Sequence, residues 1–177
     1  MASVFGHVAA STALGQAFFR RQTAWKALLL AGFCAFCPDL DVLAFRFDIP
    51  YNSIWGHRGW THSLAFALLL GTTLAWLVYG REKQWWKMAL WFVLATASHP
   101  LLDMLTTGGL GCALWWPVRE ERLFFPWRPI LVSPLELRSF ISKYGIRVLL
   151  NEFLWIGVPG LLMVWMSRIY RKASESG

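Results

Sequence analysis

The sequence predicts an all-α membrane protein, a polytopic bundle of about five apolar helices of which four to five span, with a metal site gathered at one end. Three observations carry this reading. Hydrophobic residues make up 56% of the 177-residue chain and charged residues only 15%, a balance foreign to ordinary soluble domains. Several charge-free runs approach the roughly 20 residues needed to cross hydrocarbon. His7, His99, Asp39 and Asp41 stand at the edges of those runs and His57 and His62 in one short stretch between two of them, where a helix bundle can bring distant segments together.

The first element runs from Ser3 to Phe19, 17 residues that just reach across a bilayer. His7 and Ser11 are four apart and share a face, so both should look into the bundle and away from lipid. No basic stretch precedes this run and no cleavage site follows it, which predicts a retained helix and not a signal peptide. Arg20, Arg21, Gln22 and Thr23 then form a short basic turn.

The second element starts at Ala24 and reaches Cys37, where Pro38 disfavours helix at the residue before it. Asp39-Leu40-Asp41 follows in what should be a non-helical turn, with apolar residues on to Phe47. Cys34 and Cys37 read as small buried residues and not as a redox pair, because no second Cys-x-x-Cys accompanies them and Cys112 stands alone.

Between Arg46 and Thr61 lies a loop that carries Trp55-Gly56-His57-Arg58-Gly59-Trp60-Thr61-His62-Ser63. Thr61 is a good N-cap, so His62 and Ser63 should occupy the first turn of the third element, which continues without charge to Tyr79. Asp48, with no histidine beside it, reads as a solvated loop residue. A basic turn, Gly80-Arg81-Glu82-Lys83, leads to Trp85-Trp86, which opens the fourth element like an interfacial aromatic belt. That element closes on Ser98-His99-Pro100-Leu101-Leu102-Asp103 before Thr106-Thr107-Gly108-Gly109 breaks it.

From about residue 106 to 147 arginines, prolines and aromatics interleave, as in a loop lying on the headgroup layer. The last apolar run, Val148 to Met166, carries Asn151 and Glu152 near its start and ends in a basic tail, Arg168 to Lys172. The chain therefore reads as one integral domain over 1–177. Residues 1–105 hold the ligand helices and loop, 106–147 the interfacial loop, and 148–177 the last helix and tail.

The net charge of +7 fits lysines and arginines gathered against anionic headgroups, and nucleic-acid binding is not expected. If every run spans, nine basic residues fall in short segments on one side and eight are spread over two longer loops on the other, with four of the five lysines on the dense side. That predicts a multi-pass membrane protein with a cytoplasmic C-terminus. It also places His7, Asp39, Asp41, His57, His62, His99 and Asp103 together on the outer face, with Glu152 near enough to join them.

His99 and Asp103 are four apart and share a helix face, so an imidazole and a carboxylate can hold one ion or neighbouring ions. Asp39 and Asp41 would repel each other near a membrane unless a cation neutralised them. A mixed His/Asp set suits Zn²⁺, with Mn²⁺ or Fe²⁺ as alternatives, better than Ca²⁺. Seven ligands exceed one tetrahedral site, so one or two ions are expected. Asp39, Asp41 and His62 are the candidate catalytic residues, either aspartate serving as general base when not bridging. Arg58 is the candidate substrate contact through its planar fork, with a headgroup-facing role as the alternative.

Four blocks in order, Gly6-His7, Pro38-Asp39-Leu40-Asp41, His57-Arg58-Gly59-Trp60-Thr61-His62-Ser63 and His99-Pro100-Leu101-Leu102-Asp103, resemble the YdjM-type family of bacterial inner-membrane proteins. Thr106-Thr107-Gly108 and Trp116-Pro117 continue the likeness, which covers residues 1 to about 130. The resemblance implies a metal-dependent hydrolase and the seven His and Asp residues as its functional set, but no substrate. The expected chemistry is hydrolysis by a metal-activated water, on a phosphoester or ester, with a membrane lipid among the candidate substrates. The alternative is a metal-binding or metal-transporting membrane protein without hydrolysis.

Overall fold

A computed structural model describes residues 1–19, 22, 24–134 and 137–175. Arg20, Arg21 and Thr23 of the expected basic turn, Leu135 and Glu136 of the long interfacial segment, and the last two residues lie outside the described residues. The described chain is helical without a β-strand, its only ladder pairings being two isolated bridges, Thr106 with Ile130 and Cys112 with Leu123. The helices are α1 (Val4–Phe18), α2 (Trp25–Phe36), α3 (Leu64–Tyr79), α4 (Trp85–Met104), the short α5 (Leu137–Phe140), α6 (Lys143–Glu152) and α7 (Val158–Glu175).

Small residues set how closely these helices approach. Helix α4 lies against α1, α2 and α3, and its Trp91 and Phe92 are fully buried among Ala27, Ala31, Cys34 and Ala75. A Cβ on Gly15 would stand 2.2 Å from the Trp91 ring. One on Gly71 would stand 2.4 Å from the backbone nitrogen of Val93. Backbones pressed this closely are characteristic of helix packing where water offers no hydrophobic drive. The Ser11 hydroxyl, on the same buried face as His7, donates to the Ala31 carbonyl at 3.0 Å.

Two helical stretches, Trp25–Phe47 and Lys143–Glu175, are long and apolar enough to cross a membrane, and Leu64–Tyr79 is a shorter apolar helix. Large apolar side chains such as Leu68, Leu69, Leu77, Leu161 and Trp165 point outward. A surface of this kind suits hydrocarbon and not water.

Three local expectations are corrected. Pro38 ends the α-helix but not the helical path: the chain changes from α to 3₁₀ winding at Cys37 and stays helical to Phe47. Asp39 and Asp41 therefore sit on a 3₁₀ helix and not in a non-helical turn. The exposed Asp48, at φ 53°, terminates it in the left-handed region. Thr61 does not cap α3. Ser63 does, its hydroxyl accepting from the Phe66 amide at 3.0 Å, while His62 belongs to a 3₁₀ turn just before the helix.

The last helical element is also longer than the Val148–Met166 run. It starts behind the Ser142 cap and passes through a π-turn at Phe153–Gly157, so the basic residues Arg168, Arg171 and Lys172 lie within α7. The segment from Leu105 to Pro134 exposes Trp115, Val118 and Trp127, but it also folds back on the bundle end and buries Cys112, Ala113 and Ile130. It caps that end through Thr107 N to Ile130 O, Ile130 N to Leu105 O and Phe125 N to Met104 O.

Candidate metal centre

The bundle brings all seven His and Asp residues to one end. His7 lies one turn into α1, Asp39 and Asp41 on the 3₁₀ helix, His57 and His62 before α3, and His99 and Asp103 in the last turns of α4. The tightest group is Asp39, His62, His99 and Asp103, each offering a ligand atom, all within 4.8 Å of one another. His62 Nε2 stands 3.1 Å from His99 Nε2, 3.7 Å from Asp39 Oδ1 and 3.6 Å from Asp103 Oδ2. His99 Nε2 stands 3.3 Å from Asp39 Oδ1 and 4.0 Å from Asp103 Oδ2. A tetrahedron with metal bonds of about 2.0–2.1 Å has edges of roughly 3.3 Å, so the four atoms are close to the right spacing.

The second ring nitrogen of His99 fixes its tautomer. Nδ1 lies 2.6 Å from the Ala35 carbonyl, which can only accept, so Nδ1 donates and the neutral ring keeps its lone pair on Nε2, toward the group. His7 stacks on His99 with ring centroids 3.7 Å apart. Its Nε2 is 3.4 Å from Asp103 Oδ1 and 4.0 Å from Asp39 Oδ2, at the margin of the four.

Polar satisfaction argues for a cation here. Both nitrogens of His7 and both carboxylate oxygens of Asp39 are buried without a hydrogen-bond partner, and Oδ2 of Asp103 has the Arg58 guanidinium beside it at 3.1 Å. Buried carboxylates side by side are costly unless something positive meets them. A divalent ion among these atoms gives them the partners they lack, and the nitrogen and oxygen donor set suits Zn²⁺, Mn²⁺ or Fe²⁺. The residues fit the ion that the sequence implies.

Asp41, His57 and His62 make a second group, which shares His62 with the first. Winding at about three residues per turn sends side chains two apart to different sides, so Asp39 and Asp41 meet opposite edges of the same imidazole. Asp41 Oδ2 is 3.1 Å from His62 Nδ1, and its Oδ1 is 2.5 Å from His57 Nδ1. It also accepts from the Arg58 amide at 3.0 Å and from the Thr61 hydroxyl at 2.6 Å. Burial disfavours the charged form of His62, but Asp103, Asp39 and Asp41 outweigh it and hold this imidazole well above the usual histidine range.

Arg58 is turned into the protein and does not reach the headgroup layer. It is fully buried, with Nε 3.1 Å from Asp103 Oδ2, Nη1 donating to Gly108 O at 2.9 Å and Nη2 to Thr106 Oγ1 at 3.0 Å. Its φ of 63° lies in the left-handed region, an uncommon place for a bulky residue and a frequent one at functional sites. Glu152 does not join the ligands either. Its carboxylate takes the Ser3 amide and hydroxyl, tying α6 to the start of α1. The three cysteines are free thiols outside both groups, and burial pushes the Cys112 thiol up to about 11.

Some contributors escaped the sequence reading. Arg122 donates to the carbonyls of His57, Tyr51 and Ser53 at 2.8–2.9 Å and so clamps the histidine loop. The Ala2 amide donates to Asp103 Oδ1 at 2.8 Å. Backbone partners leave no residue pattern, and an arginine in an arginine-rich loop looks like a headgroup contact.

The chain matches the model of the family described as YdjM inner membrane protein over residues 1–174. It is 36% identical over 171 residues to Inner membrane protein YbcI of Escherichia coli (strain K12), covering 94% of this chain and 96% of that protein. No solved structure matches the chain at a significant level. With its His and Asp blocks converging at one end of a helical bundle, the chain belongs to the YdjM inner membrane protein family.

Proposed function

We propose that this protein is a membrane-embedded metal-dependent hydrolase acting on an ester or phosphoester at the membrane surface. The observation that carries the reading is the convergence of Asp39, His62, His99 and Asp103 with their ligand atoms turned toward one another. These four residues would hold a divalent cation, Zn²⁺ before Mn²⁺ or Fe²⁺, which would supply Lewis acidity and lower the pKa of a water toward neutrality. Asp39 and Asp103 supply carboxylate oxygens, and His62 and His99 present Nε2. Arg58 balances the Asp103 charge from behind. Asp41 spends its oxygens on His57 Nδ1, Thr61 Oγ1, the Arg58 amide and His62, so its part is to orient both rings. With that carboxylate accepting the His57 Nδ1 proton, His57 keeps the lone pair at Nε2 and is the better general base. The density of basic residues at the other end of the helices supports an outer-face site with the C-terminus in the cytoplasm.

Elemental analysis of the detergent-purified protein, beside His99→Ala and Asp39→Ala, tests the ion. Stoichiometric metal in the parent, lost in both variants, is the expected result, and turnover of aryl phosphoesters or esters by the loaded parent alone then tests the reaction. One observation favours a second reading, a non-catalytic metal-binding protein: His62, His99 and Asp103 are fully buried and Asp39 nearly so, as in closed structural sites. Stoichiometric metal with no turnover on any such substrate would select it. A transporter is less favoured because the ligands sit at one end and not at mid-span.

A further inference from the structure

Beside the metal cluster the structure holds an apolar groove of about 400 Å³, inside the range of roughly 300–1,000 Å³ typical of ligand pockets. Its walls come from four separate segments: Val4 and Phe5 of α1, Phe36 and Val42 of the second element, Pro134 of the long segment before α5, and Phe140 of α5. Ser3 and Asp39 also line it. Among the described residues that line it, Asp39 is the one acidic or basic side chain, and it also belongs to the candidate ligand set. The groove therefore runs alongside the place where the chemistry is assigned.

Phe5 and Phe140 stack across the groove with centroids 6.1 Å apart, and Phe5 is 65% exposed. Leu40 at the wall and Leu43 beside it are half exposed as well. In a family of the inner membrane these outward apolar side chains face hydrocarbon, so the groove is continuous with the lipid-facing surface. Among the described lining residues there is no lysine or arginine to draw a water-soluble anionic substrate.

We propose that the groove takes an acyl chain of a bilayer lipid and presents the head end of that lipid, its ester or phosphoester, at Asp39. The inference rests on the hydrolase reading and names its substrate class. An acyl chain gains little on moving from bilayer to groove, because lipid tails are as apolar as the wall. The groove therefore aligns the lipid and does not hold it tightly, and discrimination falls to the head end.

The test uses the full chain, metal-loaded, in nanodiscs of phosphatidylethanolamine and phosphatidylglycerol doped with a phospholipid bearing a photoactivatable diazirine in one acyl chain. On illumination, peptides containing Phe36, Val42 and Phe140 should label several-fold more than the outward face of α3 around Leu68 and Leu77. Val42→Trp, which fills the groove, should bring that labelling down to the α3 level while metal content and α3 labelling stay at parental values. Val4→Trp fills it from the opposite wall and serves if Val42→Trp does not fold, and Leu43→Trp, outside the lining, should change nothing. Equal labelling of groove and α3, or labelling untouched by both filling variants, overturns the proposal, as does cross-linking between two copies through groove residues. Labelling needs no turnover. An unlabelled groove in a protein that hydrolyses short soluble esters sinks the groove alone, whereas a labelled groove without hydrolysis sinks the hydrolase reading alone.

Discussion

Asp41 Oδ2 lies 3.1 Å from His62 Nδ1, on the ring edge opposite the nitrogen that meets Asp39, His99 and Asp103. A carboxylate in that place fixes the tautomer and orientation of a ligand histidine. Asp41→Asn should keep the ion stoichiometry of the parent and weaken affinity about 10–100-fold, read by chelator competition. Asp39→Asn should instead lose the ion. If Asp41→Asn drops the count from two ions to one, Asp41 is itself a ligand and the centre is dinuclear.

Metal affinity should rise with pH. Free of metal, His62 is held above its ordinary value of 6.5 by the three aspartates, so near neutrality an incoming cation must displace its proton. Titrations from pH 6 upward should show affinity climbing until His62 is deprotonated, and a flat profile would contradict the assignment. The stability of chelator-treated protein has the opposite sign. A group with a raised folded pKa stabilises fully below its unfolded value and loses that contribution as pH rises through the folded one, so the melting temperature without metal should fall as pH increases above neutrality.

Arg58→Met should destabilise the protein with or without metal. The change leaves Asp103 buried without its guanidinium and empties the bonds to Thr106 and Gly108. Breaking a buried pair from one side costs roughly 3–5 kcal/mol. Thermal melts in detergent should show the loss. A substrate contact, by contrast, would leave the melt unchanged and raise KM alone.

Gly71→Ala should loosen α3 from α4. The added methyl would meet the Val93 backbone at 2.4 Å, and backbone cannot swing aside as a side chain can. Overpacking of this kind costs about 1–3 kcal/mol, and the melting temperature of the purified protein should fall accordingly. A melt equal to the parent would mean that the two helices separate more easily than their contact suggests.

A C-terminal green fluorescent protein fusion should fluoresce, and an alkaline phosphatase fusion at the same point should be inactive, if the basic residues of α7 lie in the cytoplasm. The reverse pair of outcomes would put the metal cluster on the cytoplasmic face.

By itself the sequence determined the class of the protein and the membership of its polar cluster. Apolar runs must be buried or placed in lipid, and polar residues left at their ends must converge or be wasted, so His7, Asp39, Asp41, His57, His62, His99 and Asp103 were legible from position and residue type. Only the tertiary structure decided how they divide. The 3₁₀ winding after Cys37 turns Asp39 and Asp41 to opposite edges of His62, and no residue pattern marks a change from about 3.6 to about 3.0 residues per turn. Arg58 and Glu152 looked available to substrate or metal because an arginine or a glutamate carries the same charge wherever it points. Burial against Asp103 and against Ser3 is a property of segments far apart in the chain, and it is burial that assigns these two residues to holding the site together.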